Sequence, residues 1–134
     1  MTTRILVADD HAIVREGLRR ILAADPAFVV TGEASDGDEV MAAVRAGGFE
    51  VLLLDLSMPG RSGIELLKRV KEERPELSVL VLSMHAEQQY AVRSIRAGAS
   101  GYLTKDTAAT QLTAAIHKVA CGGYLKSQNL ITMK

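Results

Sequence analysis

The amino-acid sequence predicts an α/β domain: a doubly wound parallel sheet of five strands with helices on both faces. Three observations carry that expectation. Five short apolar runs recur along the 134 residues, each is followed by a longer segment with helical spacing, and the third and fourth runs are apolar at successive positions. Unbroken apolarity suits strands covered on both faces, the usual burial of parallel sheets.

The elements follow in order. ILVA from Ile5 is the first strand, and the helix after it carries Ile13, Gly17, Ile21 and Leu22 as its apolar stripe, ending at Asp25-Pro26. FVV from Phe28 is the second strand; its helix presents Val40, Ala43 and Val44 and stops at Gly47-Gly48. VLLL from Val51 is the third, followed by DLSMPGRSG, in which Pro59, Gly60 and Gly63 favour a sharp turn before a helix striped by Ile64, Leu67 and Val70. That helix ends at Arg74-Pro75. VLVL from Val79 is the fourth strand, its helix closing at Gly98, and GYL from Gly101 is the fifth. No internal repeat or low-complexity linker interrupts the series.

Composition narrows the function. The length suits one domain with one core. Sixteen basic and sixteen acidic residues cancel, so the chain lacks the basic footprint of a nucleic-acid binder. No apolar run reaches the roughly 20 residues of a membrane helix. The opening MTTRILVADD meets an acidic pair too early to form a secretory signal peptide, so a cytoplasmic location is expected. A lone cysteine, Cys121, has no partner for a disulfide or a metal site and is expected to be a small buried thiol.

In a doubly wound sheet the ligand site lies outside the carboxyl ends of the strands, near the switch point. Four strand ends deliver polar groups there: Asp9 and Asp10 after the first, Asp55 after the third, Ser83 after the fourth and Lys105 after the fifth. One aspartate after a strand is ordinarily a helix cap or turn residue. Three carboxylates at one edge repel unless a cation compensates, and magnesium fits, since it takes one or two carboxylates and leaves positions for phosphate oxygens. No cluster of His or Cys points to zinc. Lys105 and Ser83 can then hold the oxygens of a phosphoryl group, with Asp55 as nucleophile. The bland alternative makes Lys105 a structural salt bridge and Ser83 a cap.

The strings ILVADDH, LLLDLSMPGRSG, VLSMH and GASGYLTKD, in this order and on these strands, resemble the receiver domain of two-component response regulators, from Ile5 to about Tyr124. The DDH triplet, GYLTKD and a closing GGYL resemble the NarL/FixJ subfamily, whose output is a LuxR-type helix-turn-helix domain. The resemblance implies a flavodoxin-like (βα)5 receiver fold with strand order 2-1-3-4-5. It implies Asp55 as phosphoacceptor and Asp9 and Asp10 as the acidic pair that binds Mg2+, with Asp55 and the carbonyl of Ser57 completing the metal shell. Ser83 matches the hydroxyl that closes on the phosphoryl group, Lys105 the lysine that contacts it, and Tyr102 the aromatic switch. The implied donor is a phosphohistidine on a sensor histidine kinase, and the chain catalyses only its own phosphorylation and dephosphorylation. Homodimerisation on phosphorylation is also implied. Tyr102 has a plainer reading, an amphipathic ring half-buried on an edge strand. His11 and His85 match no core role and read as surface side chains, although His85 and Ser57 stand where they could tune access of water to the site.

On this resemblance residues 1–124 form the receiver and 125–134 a linker or tail, with the DNA-binding output domain absent from the chain. A receiver fragment is expected more than a stand-alone receiver. A magnesium-dependent phosphohydrolase with an aspartyl nucleophile competes, but Ser57 stands where its second acid belongs. A flavin carrier would need a phosphate-cradling loop after the first strand, where the acidic pair stands instead, and a purely structural interaction module would leave the acidic cluster unexplained.

Overall fold

The computed structural model describes residues 2–58, 63–84 and 88–120. Pro59, Gly60, His85, Cys121 and the 125–134 tail lie outside the described residues. Ten elements alternate: β1 (Thr3–Ala8), α1 (Ala12–Ala23), β2 (Phe28–Ala34), α2 (Gly37–Ala46), β3 (Val51–Asp55), α3 (Gly63–Glu73), β4 (Ser78–Ser83), α4 (Gln88–Arg96), β5 (Gly101–Thr104) and α5 (Lys105–Ala120). All pairings are parallel and the strand order is β2-β1-β3-β4-β5, as the resemblance implied. The chain leaves β1 toward one edge and β3 toward the other. Right-handed crossovers therefore put α1 and α5 on one face, where they touch, and α2, α3 and α4 in a row on the other. The switch point falls between the carboxyl ends of β1 and β3.

Burial follows position in the sheet. Every residue of β3 is buried, whereas β2, at the edge, alternates between buried and accessible positions. Leu53 sits at the centre of the core, paired with Val7 on β1 and Leu80 on β4. Leu53→Ala is expected to lower unfolding stability by about 2–5 kcal/mol, because the neighbouring strands cannot collapse into the space. Urea denaturation measures this, and a loss well under 1 kcal/mol would contradict such a rigid centre.

The stripe expected on α1 holds at Ile21 and Leu22 and is displaced by one position in the first half of the helix. Ile13 is 86% exposed and Gly17 is exposed, while Leu18 and Leu22 are buried and Val14 and Ile21 pack against the core. The two stripes lie about 100° apart on the helix. The one through Gly17 has no side chain at its middle, so the sheet takes the face that offers Leu18. In α2 and α3 the expected Val40, Val44, Ile64, Leu67 and Val70 are buried. Asp36 caps α2 by accepting from the Glu39 N–H at 2.8 Å, while the Glu39 carboxylate accepts from Ser35 N at 2.7 Å, a reciprocal arrangement that fixes the turn after β2.

Gly63 opens α3 directly over the end of β3. A Cβ there would meet the Leu56 carbonyl oxygen at 2.3 Å, and backbone cannot yield to it. Only glycine lets the chain fold back so closely beside Asp55.

Candidate functional site

The ladders bring the site together. Ala8 pairs with Leu54, which sets Asp9, one residue on, level with Asp55. Asp55 pairs with Leu82, and Ser83 with Thr104, so Ser83 and Lys105 each stand just beyond that row. Lys105 is the first residue of α5, and its long side chain reaches back over the strand ends. A cation in the first turn opposes the helix dipole. The carboxylates it meets outweigh that cost.

Lys105 Nζ lies 2.8 Å from Asp9 Oδ2 and 3.3 Å from Asp55 Oδ2. Asp9 is 1% exposed, Asp55 2%, and the lysine side chain 15%. Burial alone works against the ammonium charge, but the hydrogen bond to Asp9 and the charges of Asp55 and Asp9 outweigh it, leaving the Lys105 pKa above its usual value of 10.5. The lysine is therefore protonated throughout the neutral range.

The two oxygens of Asp55 differ. Oδ1 accepts from the Ser57 backbone N–H at 2.9 Å and from the Ser57 hydroxyl at 2.7 Å. Oδ2 has the longer contact to Lys105. Asp9 is fixed from several directions: its Oδ1 accepts from His11 N at 2.9 Å, its own N–H donates to Ala34 O at 3.0 Å, and its carbonyl accepts from Arg15 Nη1 at 2.6 Å. Asp10 is partly exposed, yet its Oδ1 is buried and accepts no hydrogen bond among the described residues. The exposed ring of His11 stands beside the pair, its Nδ1 3.2 Å from Asp10 Oδ1.

Asp9, Asp10 and His11 present ligand atoms within 4.8 Å of one another. An unbonded buried carboxylate oxygen next to a second buried carboxylate is a setting that a hard divalent cation satisfies. The donor set thus fits magnesium. Asp55 is outside this three-residue group, joined to it through Lys105.

Ser83 is buried at the end of β4, and Tyr102, on β5, is buried too, more deeply than a half-exposed edge ring. The sequence reading missed Arg15 and gave Ser57 a role only through its carbonyl and its nearness to the site, although its hydroxyl binds Asp55. A signal for Arg15 existed: the first turn of α1 contains no acid and does contain this arginine, the reverse of what the helix dipole favours.

A five-stranded doubly wound sheet with an acidic pair at its switch point, an aspartate on the central strand and a lysine bridging Asp9 and Asp55 defines an α/β domain with a charged site at its strand ends. The response regulator receiver domain model matches residues 5–117, and the chain belongs to that family. It is 38% identical over 120 residues to the transcriptional regulatory protein DegU of Brevibacillus brevis, covering 90% of this chain and 51% of DegU. To the nitrate/nitrite response regulator protein NarL of Escherichia coli K12 it is 33% identical over 126 residues, covering 94% of this chain and 58% of NarL. A crystal structure of a LuxR-family two-component response regulator from Aurantimonas sp. SI85-9A1 superposes with a TM-score of 0.90 at 34% identity, covering 97% of this chain and 93% of that one. The subfamily resemblance read from the sequence agrees with these relatives. The chain spans about half the length of the curated relatives it matches. Among the described residues no helix is long and apolar enough to cross a membrane.

Proposed function

We propose that this chain is a phosphorylation switch that takes a phosphoryl group from the phosphohistidine of a sensor histidine kinase onto Asp55. The observation that carries this reading is the Lys105 ammonium set between the buried carboxylates of Asp9 and Asp55, 2.8 and 3.3 Å away. A receiving site for a phosphoryl group needs positive charge placed in advance where negative charge spreads over the transferring oxygens. Lys105 supplies it from buried surroundings, at little cost in reorganisation.

The division of labour between the Asp55 oxygens favours Oδ2 as nucleophile. Ser57 occupies Oδ1 with two donors and fixes the plane of the carboxylate, leaving Oδ2 turned toward the lysine. Oδ2 attacks phosphorus, the N–P bond of the donor breaks, and its electron pair returns to the imidazole. Lys105 then follows the phosphoryl oxygens. A magnesium ion held by Asp10 and Asp9, with Asp55 and the Ser57 carbonyl completing its shell, would neutralise charge on those same oxygens. Ser83 moves to donate a hydrogen bond from its hydroxyl to a phosphoryl oxygen, and Tyr102 answers that movement by changing the surface of α4 and β5. Hydrolysis of the aspartyl phosphate resets the switch. The whole protein then regulates transcription through a DNA-binding output domain outside this chain, with homodimerisation on phosphorylation.

Incubation with magnesium chloride and acetyl phosphate, read by intact mass spectrometry, tests the reading. One added phosphoryl group is expected, and none when EDTA replaces magnesium. An unmodified mass in both samples would overturn it, and turnover of unrelated phosphate esters would point to a phosphohydrolase instead.

A further inference from the structure

Asp10 presents a difficulty for metal binding. Its buried Oδ1 accepts no hydrogen bond among the described residues, and the His11 ring that stands 3.2 Å from it is itself 70% exposed, a weak anchor. Its position is inherited from the peptide that joins it to Asp9. That peptide is gripped through the carbonyl of Asp9, which accepts from Arg15 Nη1 at 2.6 Å. The Arg15 side chain is only 18% exposed, and its Nε donates to Glu33 Oε1 at 2.7 Å. Glu33 Oε2 in turn accepts from Arg19 Nη1 at 2.7 Å. Glu33 precedes Ala34, whose carbonyl receives the N–H of Asp9. Edge strand β2 therefore holds Asp9 at both ends, directly at its nitrogen and through Arg15 at its carbonyl.

From this geometry we infer that Arg15, braced by Glu33, is a positioning residue that sets the affinity of the acidic pair for a divalent cation. The inference rests on the proposed function, since it assumes that Asp9 and Asp10 bind magnesium. Arg15 touches neither the cation nor the reacting atoms. It acts by fixing the main chain at the point from which both carboxylates project, and supporting contacts of this kind typically govern metal affinity by about 10- to 100-fold. The planar guanidinium suits the task because it donates to two acceptors in fixed directions, whereas the donors of an ammonium rotate about one nitrogen and fix no direction. Arg19 shares Glu33 but, among the described residues, makes no hydrogen bond to Asp9, and so serves as the control.

The test is isothermal titration calorimetry with magnesium chloride on the whole chain, paired with acetyl phosphate labelling at low and saturating magnesium. Arg15→Ala is expected to weaken magnesium binding by about 10- to 100-fold, to slow labelling at low magnesium, and to recover the unsubstituted rate once magnesium saturates. Arg15→Lys should recover part of the affinity, Glu33→Gln should shift it in the same direction by less, and Arg19→Ala should leave it unchanged. A purely structural role would lower thermal stability without moving the magnesium constant. That result, or a labelling rate that saturating magnesium fails to restore, overturns the inference. If the unsubstituted chain itself takes up neither magnesium nor phosphoryl, the functional reading falls, and this inference with it.

Discussion

Asp55→Asn is expected to abolish phosphoryl incorporation from acetyl phosphate while leaving the fold intact. Asparagine keeps the shape of the side chain and an oxygen that can still accept the two donors of Ser57. It loses the nucleophile, because an amide nitrogen takes the place of the oxygen facing Lys105. The lysine retains Asp9 as its counter-charge at 2.8 Å, so no buried cation is left alone. Circular dichroism should overlay that of the unsubstituted chain, and intact mass spectrometry should show no added phosphoryl group. Labelling that persists undiminished would place the acceptor elsewhere, with Asp9 the first candidate because it meets the same lysine. Asp10→Asn offers the contrast. It keeps Asp55 and should still be labelled, but only at higher magnesium concentration, since the oxygens it weakens are those that hold the ion.

Much of this was legible in the sequence because strand ends in a parallel sheet are fixed by the apolar runs themselves. Once VLLL and VLVL are taken as covered strands, Asp55 and Ser83 have to emerge at the same edge, and the register Asp55 to Leu82 places them there. The stripe on α1 was less legible. Ile13 and Leu18 both lie on plausible apolar faces, and only the sheet decides between them. The partners of Arg15 were hidden for another reason: they are a main-chain carbonyl and a glutamate on the edge strand, contacts that no spacing along the chain records. Yet Arg15 and Lys105 share a trait that can be read in a sequence. Each is a cation in the first turn of a helix, against the helix dipole, and each reaches back to the acidic residues of the site. Local rules are broken where a site needs the residue more than the helix does.

Lys105→Met is expected to lower stability at neutral pH by about 3–5 kcal/mol, the usual consequence of leaving buried charge without its partner. Methionine fills most of the space of the lysine stem, so the loss is electrostatic. Asp9 and Asp55 are then two nearly inaccessible anions with no cation between them, provided EDTA removes divalent ions. The pH dependence follows from the lysine. Because the folded-state pKa of Lys105 is raised, its stabilisation is fully present below the unfolded value of 10.5 and disappears as pH rises through the higher folded value. The unsubstituted chain should lose stability over that alkaline window, and Lys105→Met should lack this component. A double-mutant cycle identifies the cause. Adding Asp55→Asn to Lys105→Met should restore part of the stability, since one of the two stranded charges is gone. Urea denaturation of the four proteins supplies the numbers, and strictly additive losses would mean that Lys105 and Asp55 do not interact in solution, in conflict with the 3.3 Å contact on which the phosphoryl site depends.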